Sequence, residues 1–568
     1  MINRFLHRIL GLRIGSKSLF YTFLLVNLIP NLFLLYTEPY NFSGKLLLIL
    51  LPLGVYLSFL SLSKRQGAMQ LWLTPLFFFH AFQLVVFSLF KEDVIAVDMF
   101  LNLVTTNVSE ATELLGSILL PTLLVCVVYI LAIVGAARSF KSKTYYSQSF
   151  RNKNLMAGLI IILGSLPLFL SAKEVNTQHF TCHENLYPVN VFYNMGFSID
   201  KFHKINNYKT TSKDFSFQAQ KDSVSSQREV YVLVIGETSR ADNWQLYGYE
   251  RETNPYLKKD DSVIFFRDAL TQSNTTHKSV SILLSGASAE NYDCIYSQKS
   301  LIEAFKETGF TTVFLSNQAK NSSFIEYFAQ EAEYLEYYRS RNIQTNHFDE
   351  VLLHRLQHYI ESVTGNLLIV VHTYGSHFNY NERYPKEFAQ FMPDQFSRID
   401  KKNREMMVNA YDNSILYTDY FLHRIGQVLD ESGLCAAYLY ISDHGEDIMD
   451  DDRERFLHAS PNPTYYQLRV PLVTWFSENY EITYPEKVQA AHDNSIKPVS
   501  SSMVFHTFLD MADIQTDYLH KNNSLVSTHF TPSMRMYLGD HDNPIPYYQT
   551  NLKRQDKEMI QIHGLSVE

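Results

Sequence analysis

The sequence predicts a bundle of five transmembrane helices followed by one large α/β domain, in which helices flank both faces of a largely parallel sheet. Three observations predict it. Five long, nearly uncharged runs crowd the N-terminal part of the chain; after residue 229 short β-branched runs alternate with longer helical patterns; and several of those short runs end abruptly in small polar clusters.

The apolar runs are 18–36, 45–62, 70–90, 117–136 and 155–171. Each is close to the ~20 residues that a helix needs to cross a bilayer. Basic residues mark one side of them. Arg4, Arg8, Arg13 and Lys17 precede the first run, Lys64 and Arg65 separate the second from the third, and Arg138, Lys141, Lys143, Arg151 and Lys153 separate the fourth from the fifth. The positive-inside rule then puts the N-terminus in the cytoplasm, and five crossings put everything after Ala172 on the far side. No small-residue cleavage site follows the first run, so it is expected to stay as an anchor.

A formal net charge of −9 over 568 residues, with no basic stripe in the second half, argues against a nucleic-acid partner. Of the four cysteines, Cys126 lies in an apolar run and Cys182, Cys294 and Cys435 lie beyond the membrane. Their spacing matches no zinc or redox motif, and at most one bridge can form, with Cys182 and Cys294 permitted to pair. The expected domains are an anchor at 1–172, a bridging segment at 173–228 and a catalytic domain at 229–568. The bridge is polar and poorly periodic, and its Tyr187, Phe192, Tyr193 and Phe197 suit the headgroup layer as well as they suit an ordinary linker.

Within the α/β domain, strands are expected at 232–235, 311–315, 367–372, 436–442 and 470–476, and helices at 348–363 and 404–429. The first strand breaks off at Glu237, Thr238 and Ser239, in "VLVIGETSRADNW". Thr238 or Ser239 could cap a helix running to Gly248, or the cluster could hold chemistry, since open α/β sheets place their sites where strands end. The strand at 436–442 ends in Asp443, His444, Gly445 and Glu446. Asp443 and His444 supply oxygen and nitrogen donors, the mixture that suits Zn²⁺, and Glu237 and Thr238 complete a set if the two strand ends are neighbours. Histidines fit for proton transfer stand nearby in sequence: His377 after the strand at 367–372, and His458 in "ERFLHASPNP".

These stretches, "GETSRADNWQLYGYERETNP", "GSHFNYNERYP" and "SDHGE" followed by "LHASP", resemble the membrane-bound phosphoethanolamine transferases of Gram-negative bacteria. That lipid A-modifying group lies in the sulfatase branch of the alkaline phosphatase superfamily. The resemblance implies an alkaline phosphatase/sulfatase-like domain, with Thr238 as the nucleophile that carries phosphoethanolamine. Glu237, Thr238, Asp443 and His444 match the ligands of a tightly bound zinc. His377 and His458 match histidines of a neighbouring substrate or second-metal site. In "DMFLNLVTTNVSE" Asn102, Thr106 and Glu110 share one helical face and match residues that bind the lipid head.

The implied reaction moves phosphoethanolamine from phosphatidylethanolamine to a lipid A phosphate, which lowers the binding of cationic peptides such as polymyxin. The implied setting is the bacterial inner membrane, with the catalytic domain of a monomer in the periplasm among membrane lipids. Zinc coordination would lower the pKa of the Thr238 hydroxyl, and a following helix would aim its amides at the phosphoryl group. Three departures stand out. The family's several disulfides cannot form; the loop "DIMDDDRERFL" is unusually acidic; and "SNTTHKSVSILLSG" lacks the family's cysteines, leaving Thr276 and Lys278 as poor candidates for phosphate contacts. A phosphoglycerol transferase using phosphatidylglycerol and a catalytically silent lipid- or metal-binding envelope protein are the rival readings. A true sulfatase is disfavoured, since a C/S-x-P-x-R motif is absent.

Overall fold

A computed structural model describes residues 15–566 apart from 92–93, 106–107, 174–179, 222–226, 321–322, 340–346 and 397. Arg4, Arg8 and Arg13, Thr106, and the side chains of Asn102 and Glu110 lie outside the described residues. The chain forms two compact units: Met1–Ala96 with Ile118–Gly196, and Val97–Ser117 with Phe197–Glu568.

In the first unit, four helices among the described residues are long and apolar enough to cross a membrane: Ser16–Thr37, Phe42–Ser61, Thr122–Lys141 and Gln148–Leu170. The expected third span is broken. It forms helices Ala68–Trp72 and Leu76–Phe90, with Pro75 at the junction, where the missing proline N–H interrupts the ladder. Together the two pieces occupy the run expected as the third crossing, so the anchor keeps five apolar segments with one of them interrupted. Small residues let helices Phe42–Ser61 and Gln148–Ser165 approach closely: a Cβ on Gly158 would lie 2.7 Å from the Gly54 carbonyl oxygen. Buried polar groups link the helices further, with Asn27 Nδ2 donating to Gln70 Oε1 at 2.8 Å and His80 Nδ1 lying 2.7 Å from the Tyr187 hydroxyl.

The expected poorly periodic bridge is instead largely helical, with Val189–Thr211 forming one 23-residue helix. Its buried residues mix Val191 and Tyr208 with Asn190, Asn194, Ser198 and Lys201, which blurs the apolar period.

The second unit is built on a seven-stranded sheet: β1 Glu229–Gly236, β2 Val263–Phe265, β3 Thr311–Ala319, β4 Tyr334–Arg339, β5 Leu367–His372, β6 Cys435–Ser442 and β7 Leu472–Phe476. The order is β2-β7-β6-β1-β5-β3-β4, and only the pairings that involve β7 are antiparallel. Strand β1 explains its own composition. Tyr231, Leu233 and Ile235 pack with Ile282, Phe305 and Phe508 on one face, while Val230, Val232 and Val234 pack with Leu356, Tyr411 and Ile415 on the other. A strand covered on both sides has no polar positions to spare, which is why it reads as an unbroken apolar run.

All four cysteines are free. Burial pushes the thiols of Cys294 and Cys435 up to about 12, whereas Cys182 is exposed. Packing therefore holds the loops. A reducing agent is expected to leave the melting temperature of the purified protein unchanged, with native maleimide labelling outside the membrane confined to Cys182; a fall in melting temperature on reduction would reveal a bridge.

Candidate active site

The site is assembled by strand register. Parallel strands β1 and β6 pair residue for residue from Glu229 with Cys435 to Gly236 with Ser442, and the Asp443 N–H continues the ladder to the Gly236 carbonyl at 3.0 Å. Glu237 and Thr238 thus leave the sheet beside Asp443 and His444. On the other flank β5 pairs Ile235 with His372, and the Ser376 N–H reaches the Glu237 carbonyl at 3.0 Å. That close crossing requires glycine at 375: its φ is +50°, and a Cβ there would sit 2.8 Å from the Glu237 carbonyl oxygen.

Ligand atoms of Glu237, Asp443 and His444 lie within 4.8 Å of one another, and all three residues are buried. Thr238 Oγ1 donates to Glu237 Oε1 at 2.8 Å. The threonine sits at φ +61°, a conformation that costs a β-branched residue about 1–3 kcal/mol unless its surroundings enforce it. They do. Its N–H donates to Asp443 Oδ1 at 3.0 Å, its carbonyl accepts from the Tyr411 hydroxyl at 2.7 Å, and the next N–H, of Ser239, donates to Ser442 Oγ at 2.8 Å.

This conformation corrects the expectation of a helix after Thr238. The chain continues in two three-residue turns, Ala241–Asn243 and Gln245–Tyr247, the second ended by Gly248 at φ +97°. Neither Thr238 nor Ser239 caps a helix, and no dipole is directed at the site from this segment. Ser239 Oγ instead accepts from Trp244 Nε1 at 2.8 Å.

The donors fit a cation. Burial above all, with the neighbouring His458 adding to it, drives His444 down to about 4, so its ring is neutral at neutral pH. Nδ1 faces the Gly445 carbonyl at 2.9 Å and carries the proton, which leaves the Nε2 lone pair 3.3 Å from Asp443 Oδ2 and 3.5 Å from Glu237 Oε1. Burial also pushes the Asp443 carboxyl up to about 7, and its Oδ2 is a buried oxygen without a hydrogen-bond partner. Buried carboxylates with a neutral imidazole and an orphaned oxygen are a charge and coordination deficit that a metal ion satisfies.

Around this core His458 lies against His444, the rings tilted by 37° with centroids 4.0 Å apart, and its Nδ1 lies 2.9 Å from Glu446 Oε2. His377 is next, its ring centroid 6.3 Å from that of His458 and its Nδ1 2.7 Å from the Phe378 carbonyl. Burial holds both histidines below their usual range, His458 at about 4, and pushes Glu446 up to about 8. Thr238, Glu237, Asp443, His444, His458 and His377 thus form one neighbourhood.

Sequence reasoning missed Gln318, named Glu446 without giving it a role, and rated Thr276 only as a poor phosphate contact. Gln318 Nε2 donates to Glu237 Oε2 at 3.1 Å and to the Thr373 carbonyl at 3.0 Å. Its signal was the Ser316-Asn317-Gln318 cluster near the end of β3, of the same kind as the clusters that marked β1 and β6. Thr276 Oγ1 lies 3.1 Å from His444 Nε2 and 3.3 Å from Glu237 Oε1, within the ligand group, whereas Lys278 is bound in a separate buried ion cluster.

The acidic loop proves structural. Arg240 of the "GETSRADNW" stretch binds both Asp450 oxygens, at 2.7 and 2.9 Å, and Arg404 adds a contact at 3.0 Å. Arg453 pairs with Asp451 and with Asp556 of the C-terminal helix Arg554–Ile562.

A buried, largely parallel sheet with oxygen and nitrogen donors gathered at two adjoining strand tips defines an alkaline phosphatase-like fold with a candidate metal site. Residues 229–514 match the Sulfatase family, and the chain belongs to it. It is 30% identical over 300 residues to the Kdo(2)-lipid A phosphoethanolamine 7''-transferase of Escherichia coli K12, covering 51% of each chain. The curated relatives it matches are spanned over about half of their length, 51–56% for the first four. The zinc complex of the periplasmic domain of EptC from Escherichia coli superposes with a TM-score of 0.54 at 25% identity, over 60% of this chain and 97% of that one. The integral membrane lipooligosaccharide phosphoethanolamine transferase A of Neisseria meningitidis shares the fold over 88% of this chain and 97% of its own, with a TM-score of 0.65 at 20% identity.

The Asp450 clamp yields a prediction with a sign. Burial opposes its charge, but Arg240 and Arg404 hold the carboxyl below its usual range, so its stabilisation is present above the unfolded-state pKa near ~4 and fades as pH falls through the folded value. Asp450→Asn leaves Arg240 buried with a weaker partner and is expected to cost about 3–5 kcal/mol near neutral pH. Unfolding followed against pH should show that gap narrowing below pH ~4; a gap independent of pH would contradict the clamp.

Proposed function

We propose that the protein transfers phosphoethanolamine from phosphatidylethanolamine to a phosphate of lipid A, through a covalent phosphoethanolamine–threonine intermediate on Thr238. The observation that carries this reading is the strained Thr238, whose hydroxyl is held 2.8 Å from Glu237 among buried metal-ligand candidates. The relatives' printed activities support the transferred group and the acceptor class, and the zinc complex of the EptC domain supports the metal. Glu237, Thr238, Asp443 and His444 are the residues proposed to hold one zinc ion, and His377 and His458 are proposed to serve the neighbouring substrate or second-metal site. The setting proposed is the bacterial inner membrane, with the catalytic domain of a monomer on the periplasmic face. Asn102, Thr106 and Glu110 are proposed to hold the lipid head.

The chemistry that bound zinc supplies is a lowered hydroxyl pKa and neutralisation of phosphoryl charge. The chain's own residues do the rest. Thr238 Oγ1 attacks the donor phosphorus, the bond from phosphorus to the diacylglycerol oxygen breaks, and diacylglycerol leaves. The proton given up by the Thr238 hydroxyl passes to that leaving oxygen by way of His458 or His377. Both rings are uncharged near neutral pH and so able to accept it. In the second half a protonated lipid A phosphate oxygen attacks the same phosphorus, the bond from phosphorus to the Thr238 oxygen breaks, and the proton that the acceptor gives up returns to that oxygen. Two displacements at one nucleophile let two lipids use a single site in turn.

Mass spectrometry of lipid A from cells expressing the protein should show an added phosphoethanolamine that disappears in Thr238→Ala. Unmodified lipid A from cells containing folded, membrane-inserted wild type would overturn the acceptor assignment. Intact-mass analysis of protein incubated with phosphatidylethanolamine should show a single adduct on the wild type and none on Thr238→Ala.

A further inference from the structure

A second buried charged cluster lies outside the metal-ligand group and is used by no step above. Asp98, in the first turn of helix Val97–Thr105, places Oδ2 2.9 Å from Lys278 Nζ, and its Oδ1 lies 3.2 Å from His277 Nε2 and 3.5 Å from Lys201 Nζ. Lys201 and Lys278 also share Asp542 Oδ1, at 2.7 and 3.2 Å. Lys278 further donates to the carbonyls of Gly539 and Asp540, at 2.9 and 3.3 Å. Asp98, Lys201 and Lys278 are all under 5% exposed. Assembling so many charges out of water is costly, and an ordinary packing contact would serve stability as well.

The cluster joins two elements that the chemistry needs in register. His277 and Lys278 directly follow Thr276, whose hydroxyl touches Glu237 and His444. The other partner, helix Val97–Thr105, has its start fixed three ways. Asp540 accepts the Val97 N–H with both oxygens, at 3.0 and 2.9 Å; Ser198 Oγ donates to the Val97 carbonyl at 2.7 Å; and Asp98 makes the ion pairs. From this helix the chain runs through helix Val108–Lys141 into the candidate span Thr122–Lys141. A continuous series of contacts therefore leads from the metal-ligand group through Thr276, His277 and Lys278 to Asp98, on the segment that enters the membrane.

We propose that Asp98 is a positioning residue for the lipid donor: it sets the register of helix Val97–Thr105 against the segment 276–278, so that a phosphatidylethanolamine headgroup arrives in line with Thr238. The inference rests on the transferase reading. It makes a distinction that a merely structural role would not. Loss of register misplaces a membrane-borne substrate, whereas a small substrate that diffuses from water still finds the intact nucleophile.

The test compares two donors on the full-length protein in nanodiscs: phosphatidylethanolamine in the bilayer, and a water-soluble aryl ester of phosphoethanolamine. Asp98→Asn, which keeps shape and removes charge, is expected to lower lipid turnover by about tenfold or more, chiefly through KM, because small misplacements cost that much. Turnover of the soluble ester and bound zinc should stay within about twofold of wild type. Asp98→Glu should recover part of the lipid activity. Equal loss with both donors, or no loss with either, overturns the proposal. Should Asp98→Asn fail to fold, His277→Ala removes one partner at a partly exposed position and is judged by the same criteria. If the wild type turns over neither donor, the transferase reading itself falls and this inference with it.

Discussion

Strand register is the constraint on which the rest of the structure depends. Because β1 and β6 run parallel and pair without a slip up to Gly236 and Ser442, the next residues on each strand emerge side by side. A shift of one residue would turn Glu237 and Asp443 to opposite faces. The ladder does not stop where the strands do: the Asp443 N–H bonds Gly236, and the Thr238 N–H bonds Asp443, so the donor set is an extension of the sheet rather than a loop laid over it. Fully buried strands with apolar side chains on both faces make that platform stiff.

On this platform the protein accumulates negative charge. Glu237, Asp443 and Glu446 are all buried, and desolvation raises the carboxyls of Asp443 and Glu446 well above their usual range. Elsewhere in the same unit several buried acids are matched by cations, Asp450 by Arg240 and Arg404, Asp98 by Lys278 and Lys201, Asp268 by Arg535, and Asp419 has its oxygens taken by the N–H groups of Tyr256 and Leu257. The ligand group differs in that its imidazole nitrogen, His444 Nε2, is a neutral acceptor rather than a cation, and Asp443 Oδ2 is left without a hydrogen-bond partner. That contrast is the physical argument for a metal ion there, and it is independent of any likeness to other proteins.

Much of this was legible in the sequence, for a reason visible in particular residues. Strands covered on both faces read as plain apolar runs, and the clusters after Ile235 and Ser442 marked where the cover ends. What stayed hidden was set by longer-range partners. The helix Val189–Thr211 was missed because Asn190, Asn194, Ser198 and Lys201 interrupt a buried face that also carries Val191 and Tyr208. The helix expected after Thr238 does not form because Tyr411, far away in sequence, binds both the Thr238 carbonyl and the Arg240 N–H and holds the chain out of helical geometry. The acidic loop showed in sequence only as an excess of charge, because Arg240 and Arg404, which turn it inward, lie far from it along the chain. Thr276 and Lys278 are two residues apart on one helix and meet entirely different partners, a division that no local pattern announces.

The central claim is that a divalent cation sits between the tips of β1 and β6 and touches the Thr238 hydroxyl. Anomalous diffraction recorded on either side of the zinc absorption edge tests it most directly. The account predicts a peak bounded by Glu237, Thr238, Asp443 and His444, retained in Asp98→Asn crystals. A zinc-replete crystal with no peak there, or with its only peak elsewhere in the molecule, would contradict it.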